Sequence, residues 1–372
     1  MNTATANMAE TRTDGILPIQ TIQRLAADGI ISVGVGRPFD GDQVQPASLD
    51  IRLGSPAYRV RASFLPGPER TVAERLKSIS LHAIDLNEGA VLETGCVYIV
   101  PLLESLDLPA DIAASANPKS STGRLDIFTR LITDRAQEFD KVPAGYRGPL
   151  YLEVSPRTFP IIARTGSRLS QMRFRRGDAR LSDKETAALH AHEPLVDGPL
   201  QVANGLLLSI DLSEAAGRIV GYRAKRHTGV IDVDQRGAYE VLDFWEPIDT
   251  RGRKELILDP DQFYILVSRE AVHVPPAHAA EMVAFDPLVG EFRVHYAGFF
   301  DPGFGHSAAG GAGSRAVLEV RSHEVPFILE HGQVVGRLAY EKMAERPTTL
   351  YGQGIGSHYQ AQGLKLSKHF RG

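Results

Sequence analysis

Seven consecutive residues, Pro118-Lys119-Ser120-Ser121-Thr122-Gly123-Arg124, follow an apolar stretch and gather hydroxyls, a glycine and two cations. Hydroxyls, backbone N–H groups and a bidentate guanidinium are the donors that a phosphate or a polar nucleoside needs. A polar turn or a capped helix start would use the same residues, so the run by itself leaves both readings open. Farther on, Asp301-Pro302-Gly303 within Ala297 to Phe304 fits a tight turn whose aspartate accepts hydrogen bonds, from a ligand or from its own backbone. The stretch that follows, Gly305 to Ser314, reads as a loose hairpin extension, with phosphate cradling as the other use of its glycines. Two glutamates, Glu153 and Glu319, stand in apolar Leu-Glu-Val segments. Facing solvent, such a carboxylate does no chemistry. Facing a closed pocket, it has its pKa raised by burial and suits general acid/base work. Periodicity does not choose between them.

The segments that must position these groups are mostly strands. Short alternating runs punctuated by Gly and Pro recur at 48–53, 97–100, 150–154, 263–267 and 316–320. One helix is predicted near the start, where Ile19, Ile22, Leu25 and Ala26 keep helical spacing before Asp28-Gly29. The runs are also self-similar. Val97-Tyr98-Ile99-Val100 matches Phe263-Tyr264-Ile265-Leu266, Leu152-Glu153-Val154 matches Leu318-Glu319-Val320, and Gly166 to Phe174 parallels Gly332 to Tyr340. Each pair is 166 residues apart, which chance alternation would not produce (264 against 98, 319 against 153, 332 against 166). Two copies of one β unit are expected, 1–175 and 200–372. The charged, polar segment 176–199, without strand alternation, joins them.

Composition narrows the function. A chain of 372 residues with 43% hydrophobic and 23% charged residues is long enough for two cores, and a net charge of −4 gives no global basic field for a nucleic-acid backbone. The polar first fifteen residues lack the pattern of a signal peptide and no apolar run reaches membrane length, so the expected location is the cytoplasm, with no membrane partner. Cys96 is the only cysteine and is expected in the core. Without a Cys-x-x-Cys pair or a His-Glu-x-x-His run, a zinc-activated water is not to be expected, and any deamination has to rely on a carboxylate base.

Several of these residues resemble the dCTP deaminase family of the dUTPase-like superfamily. The early helix, then Gln45 to Gly54, then Lys119-Ser120-Ser121-Thr122-Gly123-Arg124-Leu125 are similar to that family's amino-terminal half, which carries a basic-Ser-Ser-x-x-Arg motif at its nucleotide site. Gly298 to Phe304 followed by Val317-Leu318-Glu319 resembles its hairpin and catalytic-glutamate strand, and Arg346 to Tyr351 with Tyr359 to Gly363 its substrate-closing tail. The motifs are split between the copies. Copy one reads Glu138 to Tyr146 where the Asp-Pro-Gly turn is expected, and copy two reads Asp286 to Gly290 where the Ser-Ser-x-x-Arg motif is expected. A composite site follows, one copy supplying the motif and the other the turn, glutamate and tail.

The resemblance implies two tandem dUTPase-like units, distorted β-barrels of jelly-roll type with a few short helices. It implies hydrolytic deamination of dCTP to dUTP and ammonia, in supply of pyrimidine deoxynucleotides. Glu319 would be the base, with Ser120 and Arg124 beside it and Glu153 as the reserve candidate. Lys119, Ser121, Asp301, Val317, Tyr351 and Gln362 would bind substrate: Lys119 and Ser121 at phosphate, Asp301 at the sugar, Tyr351 and Gln362 closing over the nucleotide. Mg²⁺ would accompany the triphosphate, dTTP is a candidate feedback ligand, and the units would pack about a threefold axis as a trimer of two-unit chains. The same fold supports dUTP pyrophosphatase or combined dUMP-forming chemistry, and duplication could also leave a non-catalytic nucleotide-binding protein.

Overall fold

A computed structural model describes residues 13–34, 37–213, 218–284, 292–294, 298–322, 324–352 and 363–371, with 284 and 292–294 described through their backbone. The chain is mostly β, as alternation predicts, and its strands form small antiparallel sheets in two units. In the first unit one sheet runs through Ser80–Ile84, Ala57–Val60, Val97–Asp107, Arg147–Pro156 and Ile127–Thr133, and the other centres on Ser170–Arg176 beside Ile112–Pro118. The second unit repeats this plan. Trp245–Ile248, Gly221–Ala224, Phe263–Val272, Ser314–Ser322 and Phe292–Val294 make one sheet, and Val334–Lys342 lies between Leu206–Ser209 and His278–Ala284 in the other. The register repeats too. Glu153 sits opposite Ile99 and Glu319 opposite Ile265, so partners as well as strands keep the spacing seen in sequence.

Helix α1, Ile19–Ala27, buries Ile22, Leu25 and Ile19, one face of the predicted pattern. A second helix, α2, Val72–Ile79, was not foreseen. Thr71 and Glu74 cap it reciprocally, satisfying two backbone N–H groups, while Val72, Leu76 and Ile79 pack with Ile99, Ile132 and Tyr151. The joining segment holds a helix as well, Asp183–His192, for which Ser182 and Glu185 form the same kind of cap. The glycine-rich stretch is compact rather than loose. Ser307–Ala309 is a 3₁₀ turn closed by Gly310 in a left-handed conformation (φ 78°), and a Cβ on Gly311 would meet the Gly305 carbonyl carbon at 2.5 Å, so turn geometry requires one glycine and close backbone approach the other. Cys96 is half-buried, at the edge of the core rather than inside it.

The two units are welded. One apolar cluster contains Leu152, Phe159 and Ile161 of the first unit together with Trp245, Phe263, Val317 and Phe370 of the second. Strand Ile231–Asp232 of the second unit pairs in parallel with Ile161–Ala163 of the first. Arg173, 1% exposed in its side chain, reaches across to Ala280 O at 3.0 Å, Glu341 at 2.9 Å and Asp301 at 3.3 Å. In the opposite direction Arg321 reaches Asp126 and, at 3.1 Å, Thr158 Oγ1. No helix among the described residues is long and apolar enough to cross a membrane.

Candidate active site

Strand Ile112–Pro118 alternates buried and half-buried residues, and its pairing ends at Pro118. Lys119 is still extended (φ −67°, ψ 147°); the chain then winds into a single turn, Ser120–Gly123, with Gly123 N donating to Lys119 O at 2.9 Å and Arg124 N to Ser120 O at 3.1 Å. This tight winding explains the Ser-Ser-x-x-Arg spacing. Arg124 returns toward the protein at 3% exposure, whereas Lys119 and Ser120 stay half-buried. Lys119 Nζ is paired with buried Asp50, from the Ser-Leu-Asp-Ile segment.

Glu319 comes from the strand Ser314–Ser322 of the other unit. Its carboxylate lies 3.9 Å from Arg124 Nε. That is within reach of charge attraction but longer than a hydrogen bond. Burial raises the Glu319 carboxyl to about 8, against the opposing pull of Arg124. A carboxyl that titrates near neutrality and is held beside a fixed cation is suited to exchanging protons with a bound reactant. Motif and glutamate from opposite halves thus meet inside one chain.

Glu153 is in a different situation. Its Oε1 accepts from Arg130 Nε at 3.0 Å and Nη2 at 2.7 Å, and Arg130 is the residue directly opposite it on the neighbouring strand. The guanidinium in turn lies 3.6 Å from the Phe139 ring centroid. Its carboxylate is therefore engaged in a cross-strand ion pair rather than turned toward an opposing motif. We expect Glu153→Gln to lower unfolding stability by about 1–3 kcal/mol through the weakened pair, moderated because Arg130 is partly exposed. With the protein folded, kcat should stay near wild type. Denaturant melts and turnover on one preparation would show both.

The other expected site residues divide in a similar way. Asp301 is buried and clamped by Arg173; desolvation raises its carboxyl, Arg173 opposes this, and Asp50 and Lys119 are near enough to act on its charge. Tyr351 packs on Phe304 with centroids 5.6 Å apart and donates its N–H to Pro302 O at 2.8 Å, which places it on the Asp301 turn. Val317 is buried in the cluster shared by the two units. Ser121 is buried within the motif turn, and its carbonyl accepts from Ser367 Oγ at 2.8 Å. Gln362, like Tyr359 and the segment Asp286 to Gly290, lies outside the described residues.

Some participants escaped the sequence reading. Arg124 Nη1 donates to Lys365 O at 3.0 Å. Lys368 is close enough to Lys119 and Arg236 for their charges, after burial, to help lower its amine to about 8. The signal in the sequence is the run of cations beyond Gly363, Lys365, Lys368 and Arg371. Among the described residues no group of three or more His, Cys, Asp or Glu could hold a metal ion.

Two family models match, the 2'-deoxycytidine 5'-triphosphate deaminase N-terminal domain over residues 13–178 and the C-terminal domain over 182–370. A dCTP deaminase of Haemophilus influenzae is 33% identical over 140 residues, 36% of this chain and 67% of that protein. A dUMP-forming dCTP deaminase of Beutenbergia cavernae is 32% identical over 147 residues, 38% of this chain and 73% of that protein. The crystal structure of 2'-deoxycytidine 5'-triphosphate deaminase from Agrobacterium tumefaciens is similar at 68% identity and a TM-score of 0.85, covering 89% of this chain and all of that one. Matched nearly end to end by both domains of one family, the chain belongs to the dCTP deaminases.

Proposed function

We propose that this chain converts dCTP and water to dUTP and ammonia, with Glu319 as the proton-transfer group. The observation that carries the reading is the buried Glu319 carboxyl 3.9 Å from Arg124, each from a different half. In its ionised form Glu319 takes a proton from the water attacking C4 of cytosine and returns it to the departing amine; the remaining hydroxyl proton passes to N3, so ammonia leaves and a C4 carbonyl remains. Arg124 and Ser120 steady the charge that develops on the ring and on the attacking oxygen. Lys119, exchanging Asp50 for phosphate, holds the triphosphate of Mg²⁺-bound dCTP together with Ser121. Asp301, fixed by Arg173, receives the sugar, Val317 walls the pocket, and Tyr351 and Gln362 close it. Zinc has no part in this scheme, which a chain with one cysteine suits.

The two units, 1–175 and 200–372 joined by 176–199, are read as a tandem repeat. Three chains about a threefold axis is the proposed assembly, with dTTP as a candidate feedback ligand; light scattering and dTTP titration test these. The dUMP-forming relative makes pyrophosphate release the one second outcome worth measuring.

Protein dialysed against a zinc chelator and returned to Mg²⁺ should release ammonia from dCTP undiminished, with dUTP as the product by chromatography. Dependence on stoichiometric zinc, or binding without turnover, would overturn the scheme. Because the base must be ionised and burial holds Glu319 at about 8, kcat/KM should climb from about pH 6 through a midpoint near pH 8 and level off only above it.

A further inference from the structure

The last residues of the chain run beneath the motif turn. Lys365 O receives Arg124 Nη1 at 3.0 Å, and Ser367 Oγ lies 2.8 Å from Ser121 O, so two contacts join this segment to the centre and the end of one turn. Ser367 also lies 2.8 Å from His369 Nδ1, and His369 Nε2 lies 2.9 Å from Val233 O. Ser367 and His369 are each 2% exposed. The segment is firmly anchored. Ala238 N donates to His369 O at 2.9 Å and Gly237 N to Lys368 O at 3.0 Å, while the Phe370 ring packs against Phe244 and Trp245 with centroids 5.5 and 6.0 Å apart.

The proton inventory of this chain of contacts is tight. Val233 O can only accept, so Nε2 carries the imidazole proton. Burial pushes His369 down to about 4, leaving the ring neutral at pH 7 and Nδ1 an acceptor. The single Ser367 hydroxyl proton therefore faces two acceptors, Nδ1 and the Ser121 carbonyl. Shared between the two in a three-centre bond, that one proton ties the imidazole and the peptide at the centre of the Ser120–Gly123 turn to the same hydroxyl. Arg124 projects from the end of the same turn toward Glu319.

We propose that Ser367, held in place by His369, is a positioning residue for deamination, keeping the motif turn and Arg124 aligned with Glu319. This rests on the deaminase reading of that site. Neither residue touches the reacting atoms in this account; each acts through the turn. A small displacement of a catalytic group costs rate more than affinity, so Ser367→Ala should lower kcat by about 10- to 100-fold while KM for dCTP changes by less than about threefold. Since His369 works through Ser367, His369→Ala should reduce kcat in the wild-type background yet add little to Ser367→Ala.

The experiment is that four-member cycle, with kcat, KM and melting temperature measured on each protein, and His369→Asn added to keep a polar group near Nδ1. Coupled losses in kcat at nearly constant KM, partly restored in His369→Asn relative to His369→Ala, are expected. Wild-type kcat in folded Ser367→Ala, or additive losses that track melting temperature, would overturn the proposal. Should Ser367→Ala not fold, His369→Asn decides alone: a kcat between wild type and His369→Ala supports the inference, and an unchanged one refutes it. An inactive wild-type chain would instead remove the deaminase reading.

Discussion

Glu319→Gln is expected to lower kcat for dCTP by about 10²- to 10⁴-fold while leaving nucleotide binding measurable, the range associated with loss of a general acid/base group. The amide keeps the size of the carboxyl but neither takes nor returns a proton. Stability should move the other way. A carboxyl raised from 4.5 to about 8 by burial contributes fully to the folded state below pH 4.5, and that contribution is lost progressively as pH rises from there through about 8. Glutamine has nothing to ionise. The variant should therefore melt no lower than wild type at pH 7 and higher above pH 8, and it should lack the rise of kcat/KM with pH. A loss of activity accompanied by a lower melting temperature at pH 9 would mean that Glu319 is structural.

Arg173→Met should be the most damaging change to the fold. Arg173 is essentially unexposed and serves Glu341, Asp301 and the carbonyls of Ala280 and Phe300, all in the other unit, with the Phe299 ring centroid 4.1 Å away. Methionine fills much of the volume but strands two buried carboxylates. Removing one partner of a buried pair typically costs about 3–5 kcal/mol, and here one cation serves two anions. Burial raises both carboxyls and Arg173 opposes that rise, so without it they take up protons more readily. The deficit measured by denaturant unfolding should be smaller at pH 5 than at pH 8. A pH-independent loss would point to packing rather than charge.

Much of this was legible in sequence because strands and repeats are written locally. Alternation marked the sheets, Ile19, Ile22 and Leu25 marked α1, and the 166-residue spacing reappears in the pairing of Glu153 with Ile99 and Glu319 with Ile265. What could not be read depended on contacts across strands and units. Glu153 and Glu319 have the same neighbours in sequence, yet one meets Arg130 across the sheet and the other Arg124 from the opposite half. Their difference exists only once register and docking are known. The glycines after Phe304 looked like a flexible run because nothing in sequence tells a Gly needed for close packing from one needed for freedom. Helix α2 was hidden by its short length; eight residues bury only three apolar side chains.

In the proposed mechanism one chain assembles its own site from the motif turn of its first half and the glutamate of its second. Co-expressing Glu319→Gln chains with Arg124→Met chains, and measuring ammonia release from Mg²⁺-bound dCTP by the mixed preparation, tests it most directly. Within-chain sites predict no recovery, because every chain carries one broken component. Sites shared between chains would restore about a quarter of wild-type turnover in a random mixture, and that recovery would contradict the account.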